Sequence, residues 1–166
     1  MPLSLHAQPA MLEYVMGAAL PQGQLAVNRN VGPYLRTSLS RRDRVVRPRG
    51  DLEFFMLGGR SNALSTSETG RYSAASASAS LLVGRFTARV TPYALLGLGA
   101  TYAHTDARGG AIVPSLRAGL GIRYEGFNRA LFVEGLQHAI LSDRGVGDYS
   151  FAVLRPIVIG ASFRRF

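Results

Sequence analysis

Between Val46 and Leu57 the chain places Arg47, Arg49, Asp51 and Glu53 at every second position, a spacing that puts all four on one face of a β-strand. Charges so crowded need water or one another, because an unpaired charge taken out of water is costly. Glu13, Arg36, Arg117, Arg123 and Glu134 likewise alternate with apolar neighbours. Together the nine residues comprise five arginines and four carboxylates, close to a balance. Two kinds of chemistry are open to them: mutual neutralisation in a hydrated polar plug, or a narrow, gated path for ions and small solutes. Arg117 and Glu134, on consecutive predicted strands, are the first expected ion pair.

Other reactive residue types are sparse. Nucleophilic catalysis would draw on Ser142 or Thr105 with His104 or His138 and Glu134, and no spacing among these reproduces a known triad order. His138 shares a strand face with Glu134 and is expected to pack inside. His104 and Asp106 offer two metal ligands, too few for a site. Gly97-Leu98-Gly99 and Gly119-Leu120-Gly121 fall within predicted strands with no helix following, so they are not phosphate loops. Arg49-Gly50-Asp51 spells an integrin-type tripeptide, also on a strand. The sequence therefore predicts no catalytic residue, no metal ligand and no cofactor.

The elements that must position the charges are clearest from Ile112 to Tyr124. Pro114, Leu116, Ala118, Leu120, Ile122 and Tyr124 share one parity, and Ser115, Arg117, Gly119, Gly121 and Arg123 the other. The second row cannot be a hydrophobic core. A soluble barrel would point the apolar row inward, whereas a transmembrane β-barrel turns it to lipid and fills its lumen with the small polar row. Composition favours the membrane reading: 166 residues suffice for one closed barrel, 47% are hydrophobic, only 17% are charged, and 19 are glycine. No run approaches the roughly 18 apolar residues of a membrane helix, so any crossing is made with strands.

Further strands are predicted at Met11–Leu20, Val31–Ser40, Val46–Leu57, Ser73–Val83, Val90–Ala103, Arg129–Ile140 and from about Ser150 to Phe166. In the low-complexity SAASASAS stretch, Ser76, Ser78 and Ser80 are assigned inward and the alanines outward. Longer loops alternate with tight turns. The pattern predicts an all-β, eight-stranded antiparallel up-and-down barrel over residues 11–166. Residues 1–10 are an N-terminal segment without the basic stretch and long apolar run of an export signal, and Leu3–Ala10 is expected to be the remnant of a cleaved one.

PYALLGLGATY at Pro92–Tyr102, LRAGLGIRYEG at Leu116–Gly126, LFVEG at Leu131–Gly135 and the closing IVIGASFRRF resemble the small outer-membrane β-barrel domains of Gram-negative bacteria, of the OmpA/OmpX type. The resemblance implies long extracellular loops, short periplasmic turns and a final phenylalanine read by the barrel-assembly machinery. The chain departs from that pattern: the apolar row Ile157, Ile159, Ala161, Phe163 is out of register with Phe166. Either a bulge near Arg164 and Arg165 restores it, or the strand ends at Phe163. Without tryptophan, interfacial belts would rest on rings such as Tyr14, Tyr102 and Tyr124.

The formal charge is +9, carried by arginine alone, since the sequence contains no lysine. Dispersal of the arginines among strands and turns, without a recognisable motif, speaks against nucleic acid. At the expected periplasmic rim Arg41, Arg42, Arg44, Arg85, Arg89 and Arg129, with Arg164 and Arg165, are either solvated turn residues or contacts to phospholipid headgroups. At the other rim Arg60, Arg71, Arg108 and Arg144 could meet lipopolysaccharide phosphates. The expected protein is a monomeric outer-membrane barrel, non-catalytic, acting through its loops. The alternatives are a narrow channel and a soluble ligand-binding barrel.

Overall fold

A computed structural model describes residues 10–41, 43–59, 70–106, 109–126, 129–141 and 151–164. Period-two alternation becomes eight strands: β1 (Ala10–Gln22), β2 (Gly32–Arg41), β3 (Val46–Leu57), β4 (Tyr72–Gly84), β5 (Val90–Thr105), β6 (Gly109–Glu125), β7 (Arg129–Leu141) and β8 (Phe151–Arg164). Each pairs antiparallel with the next, and β1 closes on β8 in a complete barrel. Closure leaves no unpaired sheet edge, the condition for placing strands in a bilayer. Successive pairs slide along the wall: Gly17 of mid-β1 leads through Tyr34, Phe55, Ala74 and Ala103 to Ala111, near the start of β6. That stagger is the tilt a closed barrel requires.

The apolar rows face outward. Met16, Leu96, Leu98, Leu120 and Ile159 are each more than 60% exposed, a wall that only a lipid solvent makes favourable. The soluble-barrel alternative needs these rows inside and is overturned by their placement. Tyr102 is exposed near the loop end of β5, and Tyr124 and Phe163 are exposed near the opposite, turn end of β6 and β8; Tyr14 is exposed and packs against Phe163. On β8 the outward row Ile157, Ile159, Ala161 and Phe163 continues without a break, and Phe163 stands opposite Leu12 of β1 and Arg129 of β7. The register therefore favours Phe163 as the end of the apolar row; residues 165 and 166 lie outside the described residues.

One element departs from the sequence reading. Residues after Gln22, expected as loop, form a short helix, α1 (Gln24–Asn28), entered through Gly23 at φ 57°, a left-handed conformation that glycine adopts without steric cost. The helix carries the buried Leu25 into the mouth of the barrel.

Candidate functional site

The nine charges expected in the lumen are all buried there: Glu13, Arg36, Arg47, Arg49, Asp51, Glu53, Arg117, Arg123 and Glu134. Alternation alone aims them inward, and closure brings distant strands face to face. Glu134 on β7 binds Arg36 Nη1 on β2 and Arg49 Nη1 on β3, each at 2.7 Å, and accepts the hydroxyl of Tyr93 at 2.6 Å. Asp51 lies 2.9 Å from both Arg49 Nε and Arg117 Nη2, and it also accepts from Ser38 at 2.5 Å and Ser80 at 2.9 Å. Glu53 pairs with Arg117. Glu13 meets Arg123 at 2.8 Å and Arg49 at 3.6 Å.

Two sequence expectations need correction. Arg117 does not pair with Glu134. The β6–β7 register sets Arg117 opposite His138 and Glu134 opposite Gly121, an offset of four residues or roughly 13 Å along the strand, and Arg117 instead crosses the lumen to β3. Glu125, one residue beyond the strand expected from Ile112 to Tyr124, is the last residue of β6 and bonds Arg47 at 2.9 Å and Arg123 at 2.8 Å. With it, five arginines face five carboxylates. The parity of Glu125 with Arg117 and Arg123 was the available signal.

Apolar side chains pack toward both ends of the network. Toward the loops, Tyr34, Phe55 and Tyr72 stack with centroids 6.5 and 6.3 Å apart, and Leu25, Leu57, Ile140 and Leu154 join the same buried cluster. Toward the turns, Leu82, Phe86, Tyr93, Leu95 and Leu136 form a second cluster. Phe86 belongs to the β4–β5 turn, held by its N–H donating to Arg44 O at 2.9 Å, and its ring lies 3.9 Å beneath the Arg47 guanidinium, a cation–π contact. Parity marks these positions as inward, but which rings stack follows from register.

His138 lies 3.3 Å from Glu53 and 3.4 Å from Thr101, whose hydroxyl is 2.7 Å from Ser76. An acid, an imidazole and a hydroxyl thus stand in relay order, but Thr101 is fully buried and Phe55 sits edge-on over His138. Thr101 was not singled out in the sequence. Of the residues weighed for catalysis, Thr105 is buried and His104 half-buried on opposite faces of β5; Ser142 lies outside the described residues. Asp106 accepts the N–H of Arg71 at 2.9 Å. Among the described residues no group of three or more histidine, aspartate or glutamate side chains is placed to hold a metal.

At the turn end Arg41, Arg44, Arg85, Arg89 and Arg129 are exposed, and Arg89 lies over the Tyr124 ring at 5.1 Å. Arg71 is exposed at the loop end. Arg42, Arg60, Arg108, Arg144 and Arg165, and the side chain of Arg164, lie outside the described residues.

The closed eight-strand barrel with lipid-facing apolar rows has solved counterparts. Neisserial surface protein A is similar with a TM-score of 0.74 and 16% identity, over 94% of this chain and 97% of that one. The chain has the fold of the small outer-membrane β-barrels. The outer membrane enzyme PagL matches with a TM-score of 0.54 and 13% identity, over 92% and 98% of the two chains. Ail, the attachment invasion locus protein of Yersinia pestis, matches at 0.51 and 14%, over 95% and 97%. No protein-family model matches the sequence, and no curated protein matches it.

Proposed function

We propose that the protein resides in the bacterial outer membrane, reached through the periplasm, as a non-conducting and non-catalytic monomer that acts through the surface its loops present. The observation that carries this reading is the lumen: five arginines and five carboxylates pair there, nine of the ten buried and Glu125 half-buried at the turn end, with apolar clusters packed toward both ends. An ion entering would have to displace Tyr34 or Phe86 and break paired charges with no bulk water to replace them. Two of the similar structures are named as a surface protein and an attachment and invasion protein, which supports a surface role. Phospholipid and lipopolysaccharide surround the wall, and the barrel-assembly machinery is the partner during biogenesis.

Refolded protein in a planar bilayer is expected to give no conductance steps. Reproducible steps from the wild-type chain would replace this reading with a channel. The name of PagL prompts a second test, incubation with lipopolysaccharide and phospholipid followed by mass spectrometry. Unchanged lipids are expected, because the Glu53–His138–Thr101 relay is sealed; released fatty acid would overturn the non-catalytic assignment.

A further inference from the structure

Among the described residues, one charge breaks the apolar wall away from the rims. On β8 the outward row runs Phe163, Ala161, Ile159, Ile157, Arg155, Val153, and Arg155 is exposed. It stands beside Leu20 of β1. On its other side, the pairs Gly135 with Ile157 and His138 with Leu154 set the exposed Gln137 opposite Arg155. Val153 follows toward the loops with Gln22 of β1 opposite it, so Arg155 lies at the loop-end edge of the apolar belt. A guanidinium facing hydrocarbon is disfavoured according to its depth, and a long side chain relieves that by reaching toward the interface. A phosphate relieves it further, because the planar guanidinium offers a fork matched to phosphate oxygens. The Gln137 amide supplies another donor beside it.

The wall below is shaped for an attached chain. A groove of about 1190 Å³ runs from Arg155 and Gln137 between Leu120, Val133 and Ile157, floored by small residues such as Ala118 and Gly135. Added carbon at Gly135 would meet nothing within 4 Å, so the trough there is open rather than filled from a neighbouring strand. A cation and an amide at the head of an apolar trough complement an acylated phosphate. We propose that Arg155 and Gln137 bind one phosphate of lipid A, the phosphorylated lipid anchor of lipopolysaccharide in the loop-side leaflet, with an acyl chain lying in the trough past Gly135. The site rests on the membrane-barrel reading and is separate from the lumen and both arginine rims.

Native mass spectrometry of the refolded full chain in detergent, titrated with diphosphoryl lipid A, tests it. Heat-modifiable migration first shows that each variant is a folded barrel; failure of the wild type there would count against the membrane-barrel reading itself. The wild type is expected to retain one lipid. Arg155→Gln is expected to weaken retention at least tenfold. Gly135→Leu, which fills the trough and leaves Arg155 in place, is expected to weaken it comparably, and Arg129→Gln at the turn rim to leave it unchanged. Wild-type retention by Arg155→Gln, equal retention of phosphatidylglycerol, or a two-chain complex in place of bound lipid would each overturn the proposal.

Discussion

Glu134 is the residue on which most of the lumen converges, since it joins β7 to Arg36, Arg49 and Tyr93 on three other strands. Glu134→Ala leaves guanidinium charge buried without its nearest anion, a change expected to cost about 3–5 kcal/mol. Urea unfolding in lipid vesicles measures it, and Arg129→Ala on the exposed rim should stay within about 0.5 kcal/mol in the same assay. Equal effects would contradict the network. The membership of this site was largely legible in the sequence, because parity alone assigns Arg47, Arg49, Asp51 and Glu53 to one face. Partner choice was not, because it depends on register and on the far wall: Arg117 finds Asp51 and Glu53 on β3, strands away in the order of the barrel. Outside the membrane, Asp43 in the β2–β3 turn accepts the N–H of Val45 at 3.2 Å. That bond, with help from the Arg44 N–H, holds its carboxyl below the usual carboxylate range. A depressed folded pKa gives stability that is present above the unfolded value of 3.8 and is lost as pH falls through the folded one. Asp43→Asn should therefore make the acid limb of the refolding yield slightly shallower below about pH 4, the buried lumen carboxylates supplying the rest; a steeper limb would contradict it.

At the level of strands, inward rings rest on inward glycines. Tyr93 of β5 pairs directly with Gly121 of β6, and Phe132 of β7 with Gly160 of β8. A Cβ at either glycine would run into the facing ring. Gly160→Val is expected to destabilise the barrel by about 1–3 kcal/mol through overpacking, and Phe132→Ala in the same chain should recover part of that loss, measured by a double-mutant cycle in urea. Simple additivity would show that ring and glycine do not share the space. Strand positions were readable because period two is strong even in SAASASAS, where Ser76 and Ser80 are buried as their parity requires. The helix α1 was not readable: five residues give too little periodicity to separate helix from loop. Its docking depends on the lumen that receives Leu25.

For the whole molecule, the barrel is an inverted protein in which charged groups pair with one another inside and apolar rows meet lipid. Apolar clusters pack toward both ends of the lumen, and the charge network runs from between them to Arg47, Arg123 and Glu125 at the turn end. Phe55→Ala and Phe86→Ala together should thin both seals, and fleeting conductance events from this double variant against a silent wild type would locate the barrier; silence from both would place it in the charge layer. The architecture was legible in the strand count and in the alternation of loops and turns. The sealing was not, since it requires knowing that Phe55 and Tyr72 stack and that Phe86 folds under Arg47.

The most direct test of the account is the migration of refolded protein in SDS, unboiled against boiled, after protease treatment in lipid vesicles. A closed barrel with its apolar rows in lipid predicts a faster unboiled band and cleavage confined to the loops. A chain that stays soluble without detergent and migrates identically in both samples would contradict it.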